Sequence, residues 1–191
     1  MLTLTLARIP NFSARVSLFM MLKDFDLISF DAQGGKWIMK RKTIIKTSRF
    51  PASEKNVFNK LKSMQTLQYI ASPYATFTPI NGGGDLNWKE GETFSFHFKL
   101  FGVIPFGVHT IKVIDFDEKT YRIYTNESNT YVPIWNHSIL LKPLGDDGSQ
   151  YTDEVEIYAG WKTPFVYLWA KCFYAHRQKK WVKLLSNQGA L

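Results

Sequence analysis

The chain has 191 residues, which suits one domain and leaves little room for two. Hydrophobic residues make up 45% of it and charged residues 21%, fractions that exclude wholesale disorder. The net charge of +8 is scattered apart from two small groups, Lys40 to Lys42 and Arg177, Lys179, Lys180 and Lys183. No basic stripe forms, so no nucleic-acid partner is expected, and weak contact with an anionic membrane surface suits the charge better.

Residues 1–38 lack sustained periodicity, and Pro10, Gly34 and Gly35 interrupt them. The apolar run from Val16 to Leu22 is far shorter than the ~20 residues of a membrane span. Lys23 and Asp24 follow it without a small-residue cleavage site, so no signal peptide is read. The Asn-x-Ser triplets at Asn11, Asn126 and Asn136 then carry no glycosylation meaning, and a cytoplasmic location is expected. The single cysteine, Cys172, allows no intramolecular disulfide and fits a reducing compartment. A better-organised stretch opens at Met39. Two readings of residues 1–38 stand: a real N-terminal arm, or an extension upstream of a native start at Met39. In either case residues 39–191 form a single domain.

Lys42 to Arg49 reads as a strand favoured by Ile44, Ile45 and Thr47. Pro51 and Ser53 mark a helix start, and Val57, Leu61 and Met64 with Phe58 form one apolar stripe. A second short helix covers about Thr66 to Ala71 and stops before Pro73. Ala75 to Pro79 reads as a short strand and Asn81 to Gly84 as a loop. Phe94, Phe96, Phe98 and Leu100 then alternate with polar residues at a strict period of two. His109, Ile111 and Val113 share a face of the next strand. Tyr121, Ile123, Thr125 and Glu127 share one on the strand after it. Trp135, His137, Ile139 and Leu141 follow, then Asp153, Val155, Ile157 and Ala159. Short turn-like connectors imply an antiparallel meander. A long helix closes the chain, with Thr163 as N-cap, Pro164 at the first position and an inner stripe of Phe165, Trp169, Cys172, Phe173 and His176. The basic residues from Arg177 to Lys183 suit the helix dipole.

The predicted class is α+β: a curved antiparallel sheet of about six to seven strands wrapped around a long C-terminal helix, with two short helices after the first strand. The aromatic fraction, 16%, exceeds what a small core needs, and a cavity between sheet and helix is one use for the excess. If the turn at Asp117 to Lys119 pairs Val113 with Ile123, His109 lies opposite Glu127. If the next hairpin sets Glu127 beside Trp135, Thr125 lies by His137. A one-residue slip would scatter these groups. Three readings of such a cluster stand: a self-satisfied network, an anchor for a ligand's polar end, or an acid–base pair. The histidines show no zinc spacing, and no phosphate loop, dinucleotide fingerprint or nucleophile elbow is present, so no metal or cofactor is expected.

Ile45-Lys46-Thr47-Ser48-Arg49-Phe50-Pro51-Ala52-Ser53 with Val57-Phe58 resembles the opening strand and first helix of START-related domains. So do Trp135-Asn136-His137, Tyr151-Thr152-Asp153-Glu154-Val155 and the aromatic-rich final helix ending His176-Arg177-Gln178. That superfamily, also called SRPBCC, includes the birch pollen allergen and the polyketide cyclase and lipid-transport proteins. The resemblance covers residues 42–186 and implies the helix-grip fold. It further implies an internal cavity for a lipid, sterol, polyketide or aromatic compound, with no universal catalytic residue. The side chains expected around that ligand are Phe94, Phe96, Phe98, His109, Ile111, Val113, Ile123, Glu127, Trp135, His137, Ile139, Val155, Ile157, Phe165, Trp169 and Phe173. The expected partner is a hydrophobic small molecule. The alternatives are a polyketide cyclase or dehydratase-like enzyme using the His/Glu pair, and a membrane- or ribosome-associated interaction protein.

Overall fold

The alternation that runs through residues 93–159 is realised as a seven-stranded antiparallel sheet. The computed structural model describes residues 28–31, 33, 35–80, 88–145 and 148–186. The apolar run at Val16 to Leu22 and the loop from Asn81 to Gly84 lie outside the described residues. Strands β1 (Ile28–Asp31) and β2 (Lys36–Met39) pair with each other as a separate two-stranded sheet. The large sheet contains β3 (Lys42–Phe50), β4 (Ala75–Pro79), β5 (Thr93–Leu100), β6 (Ile104–Asp117), β7 (Arg122–Asn129), β8 (Val132–Pro143) and β9 (Ser149–Tyr158). Its order is β3-β9-β8-β7-β6-β5-β4, so the first strand of the sheet closes beside the last.

Helices α1 (Glu54–Leu61) and α2 (Met64–Ala71) bridge β3 to β4. Each starts at a serine whose hydroxyl accepts from the backbone N–H three residues on, Ser53 from Asn56 and Ser63 from Thr66. The second helix therefore begins before Thr66, because Ser63 supplies its cap. The long helix α3 (Thr163–Ser186) closes the chain and packs on β3, α2 and β9.

The β6–β7 pairing departs from the predicted register. The turn is Glu118 to Tyr121, longer than predicted, with Tyr121 in the left-handed region at φ 52°. A register shift between Val113 and Asp115 then displaces the ladder again. Val113 faces Thr125 instead of Ile123, and Ile111 faces Glu127. The two displacements combine to an even number of residues, so side-chain parity survives and every group keeps its face.

The buried face of α3 also differs from the predicted stripe. It carries Ala170, Phe173, Tyr174, Arg177, Gln178, Trp181 and Leu185, while Cys172 and Phe165 are exposed. The face was obscured because two of its members, Arg177 and Gln178, are polar. Thr163 does not cap the helix. Its hydroxyl accepts from the Ala159 N–H at 2.9 Å and donates to the Gly160 carbonyl at 2.7 Å, tying down the turn before the helix.

The core divides into two clusters. One gathers Ile44, Phe77, Phe96, Phe98, Trp135, Val155, Ile157, Phe173 and Tyr174. The other gathers Phe50, Val57, Phe58, Ile70, Ile139, Leu141, Tyr151, Trp181 and Leu185. Trp181 is fully buried in the second, with its ring 5.9 Å from that of Phe50 and 6.1 Å from that of Tyr151. Trp181→Ala should therefore cost about 3–5 kcal/mol in urea denaturation. Leu168→Ala, on the exposed side of the same helix, should stay within about 0.5 kcal/mol. Equal losses at the two positions would overturn this assignment of the helix faces.

Candidate functional site

A cavity of about 560 Å³ lies between the concave face of the sheet, α2 and the first half of α3. That is the size of a small-molecule site. Its wall is overwhelmingly apolar because strand parity sends every second side chain inward and α3 presents Val166, Trp169 and Phe173 from the opposite side.

Many of the residues singled out in the sequence meet on this wall: Phe98, His109, Ile111, Ile123, Glu127, Trp135, His137, Ile139, Phe165, Trp169 and Phe173. Phe94, Phe96, Val113, Val155 and Ile157 do not line it. Phe94 packs on Trp88, and Phe96 is sealed beneath Phe77, with ring centroids 5.2 and 5.8 Å apart respectively. Val113, Val155 and Ile157 have no exposed surface and serve as core. Parity identifies a face, but not which part of that face a helix covers. The wall also includes Leu67 and Ile70 of α2, Trp88, Phe106 and Val132. The short helices gave no sequence sign of reaching the cavity.

A polar layer crosses the concave face. His109 Nε2 lies 2.8 Å from Glu127 Oε2, and the Thr125 hydroxyl donates to Glu127 Oε1 at 2.7 Å. Thr125 and Glu127 face His137 and Trp135 across the β7–β8 ladder. His137 stands between two carboxylates, its Nδ1 3.6 Å from Glu127 Oε1 and its Nε2 2.8 Å from Asp153 Oδ1. Tyr151 donates to Asp153 Oδ1 at 3.0 Å, and Gln178 Nε2 donates to Asp153 Oδ2 at 2.8 Å. Gln178 Nε2 also reaches the Lys46 carbonyl at 2.8 Å, and Ser48 donates to Gln178 Oε1 at 2.6 Å. The layer thus runs from β6 through β7, β8 and β9 to α3 and β3.

Charges in such a place must balance. Burial alone pushes the Glu127 carboxyl up, but its hydrogen bonds to His109 and His137 hold it well below the usual range. Burial acts the same way on Asp153, and the Arg177 guanidinium and His137 overcome it. Burial disfavours a charge on His137, yet the two flanking carboxylates raise its pKa above the ordinary 6.5. Arg177 stays cationic beside Tyr151 and Asp153. Two carboxylates therefore face one guanidinium and, below about pH 6.5, one imidazolium. Asp153, Arg177 and Gln178 were not marked as site residues in the sequence. Asp153 left a trace, since its parity matches that of Val155 and Ile157. Among the described residues, no group of three His, Cys, Asp or Glu side chains is placed to hold a metal ion.

A family model described as "Domain of unknown function (DUF8410)" matches residues 48–185. The chain belongs to this family. No protein of curated function matches it significantly. Solved structures share the fold of this DUF8410 chain. A structural-genomics protein from Chromobacterium violaceum is 13% identical with a TM-score of 0.61, covering 75% of this chain and 97% of that one. A START superfamily protein from Mycobacterium smegmatis is 15% identical with a TM-score of 0.60, covering 76% and 98%. Norcoclaurine synthase from Thalictrum flavum, solved with dopamine and hydroxybenzaldehyde, is 16% identical with a TM-score of 0.55, covering 78% and 88%. The DUF8410 chain thus has the helix-grip fold of START-related proteins, as the sequence resemblance implies.

The raised pKa of His137 fixes the sign of a pH dependence. Its stabilising contribution is complete below about 6.5 and is lost as pH rises through the folded value. The contributions of Glu127 and Asp153 are complete above the ordinary carboxylate values of about 4 and are lost as pH falls. The urea midpoint should therefore decline from pH 6 to pH 9. In His137→Gln that decline should flatten; an unchanged slope would remove His137 from this role. Asp153→Ala strands Arg177 and His137 and should cost about 3–5 kcal/mol at pH 6.

Proposed function

We propose that the domain binds and carries an apolar small molecule, with the polar layer anchoring the ligand's polar end. The observation that supports this most is the 560 Å³ cavity whose greasy wall carries one charge-balanced polar band. Burial of apolar surface at ~25 cal/mol per Å² supplies the affinity, and the band supplies orientation. Glu127 has acceptor capacity beyond its bonds to His109 and Thr125, so a ligand hydroxyl can join them. The lipid, sterol, polyketide and aromatic classes all suit such a wall. A reducing, cytoplasmic setting suits the single Cys172.

The same electrostatics weigh against the enzyme reading. A general base works best with a pKa near the operating pH, whereas Glu127 is held far below it. The ligand-binding unit is proposed to be residues 39–191, with residues 1–38 an extension. The β1–β2 pair forms its own sheet, and the family match begins only at residue 48. Deleting residues 1–38 should leave the melting temperature within about 5 °C.

Native mass spectrometry of the purified chain should reveal a co-purified small molecule. A naphthalene-sulfonate probe should bind the emptied protein, and Trp169→Ala should weaken it about tenfold, ~1.4 kcal/mol. A parent protein that carries no small molecule and binds no apolar probe would overturn the carrier reading.

A further inference from the structure

The rim of the cavity carries an apolar surface that ligand enclosure does not require. Across the β5–β6 hairpin the chain runs Leu100-Phe101-Gly102-Val103-Ile104-Pro105-Phe106-Gly107-Val108, without one polar side chain. Phe101, Ile104 and Val108 are exposed, and Val103 at the tip is 75% exposed. Gly102, at positive φ, lets the hairpin turn, and Gly107, also at positive φ, sits in β6 where the β5–β6 register shifts. Trp161 just before α3, and Phe165 and Leu168 in its first turns, are exposed, Leu168 at 64%, and Trp161 and Phe165 also edge the cavity. Tyr131, in the β7–β8 turn, is exposed beside them.

Ring contacts, together with neighbours along the chain, gather these groups around the mouth. Phe106 and Tyr131 have centroids 4.8 Å apart, Lys162 Nζ sits 5.1 Å over the Tyr131 ring, and Trp161 meets Phe165 at 6.5 Å. Phe101 meets Tyr74 at 5.9 Å, and Tyr74 meets Trp169 at 6.5 Å. Singly exposed apolar residues need no explanation, but a contiguous patch around a cavity mouth does.

The charge around the patch has one sign. Lys162 sits in it, Lys99 and Lys171 lie in the same segments of β5 and α3, and the segments 72–74, 99–108, 129–132 and 158–172 contain no Asp or Glu. Successive turns of an antiparallel sheet alternate between its ends. Asp117 and Glu118 lie at the β6–β7 turn, on the opposite end, where Glu54 also opens α1. One end of the molecule is thus aromatic, aliphatic and cationic, and the other carries these carboxylates.

We propose that this rim docks on an anionic lipid bilayer. The β5–β6 tip and the outer side of the first turns of α3 enter the headgroup region, where Trp and Tyr rings are at home. The lysine stems lie along the apolar side chains while their amines reach lipid phosphates. The C-terminal basic group is a poorer candidate for this contact, because Arg177 is buried in the core. Docking sets the cavity mouth against the acyl boundary. That a ligand crosses there rests on the carrier reading, but the docking itself does not.

The test is co-sedimentation of the full chain with phosphatidylcholine vesicles, with and without about one-third phosphatidylserine. The chain should associate with the anionic vesicles and release as salt rises. V103E/I104E and L168E replace no residue that lines the cavity and should each weaken vesicle partition at least about tenfold, with melting temperature and probe binding in solution unchanged. K99A/K171A should lose a similar factor on anionic vesicles only, at least about tenfold. A parent chain that ignores vesicles, or rim variants that partition as the parent does, would overturn the proposal. So would a concentration-dependent dimer that V103E/I104E disperses, since a second copy would then cover the patch. Loss of probe binding with vesicle association intact would count against the carrier reading alone.

Discussion

Four ionic side chains inside a protein interior are tolerable only if they neutralise one another. Glu127, His137, Asp153 and Arg177 do so across the concave face. Replacing such a buried set by well-packed apolar residues is often neutral or stabilising, so its presence calls for another account than stability. The account offered by the geometry is position. Gln178 bonds Asp153 on one side and the Lys46 carbonyl on the other, while Arg177 meets Tyr151. Sliding α3 by one turn, about 5.4 Å, would break these bonds together. The layer therefore fixes where along the sheet the helix rests, and with it where Trp169 and Phe173 stand over the cavity.

Legibility in the sequence followed the strength of each local signal. The period of two in Thr93 to Leu100, the turn residues between strands and the serine caps are local, and they carried the architecture. Facing pairs such as Glu127 with Trp135 and Thr125 with His137 follow from the short β7–β8 hairpin, even with the irregularity between Glu127 and Asn129. The β6–β7 register was harder, because a turn at Tyr121 and a bulge beyond Val113 leave no clear mark in residue type. The inner face of α3 was misplaced for a different reason. Arg177 and Gln178 sit on it for the sake of Asp153, which lies 24 and 25 residues away, and no periodicity of apolar residues can reveal that. The polar layer is where local propensity and global structure disagree, as expected of a site under a functional or specificity constraint.

The layer also limits what chemistry the cavity suits. Each carboxylate is engaged by several donors, and His137 has a carboxylate at each ring nitrogen. Groups so engaged are held in fixed positions, which is what orienting a bound molecule asks of them. The similarity to both a START superfamily protein and norcoclaurine synthase is a likeness of scaffold, and a scaffold hosts unrelated functions through its site.

The two core clusters share the cavity, since Leu61, Ile70, Ile123 and Ile139 of the second also line its wall, but part of the second lies clear of it. Phe50, Phe58, Leu141, Tyr151 and Trp181 pack solidly at one end, away from the cavity wall. At the other end, Phe98, Phe106 and Trp169 border empty volume and are constrained on one side only. Selection can act on these ends separately. Changes around the hollow end alter the shape of a space and cost little cohesion, while the packed end keeps the protein folded. Lineages sharing this scaffold are thus free to reshape the cavity by substitution near its mouth, and their sequences should drift fastest there.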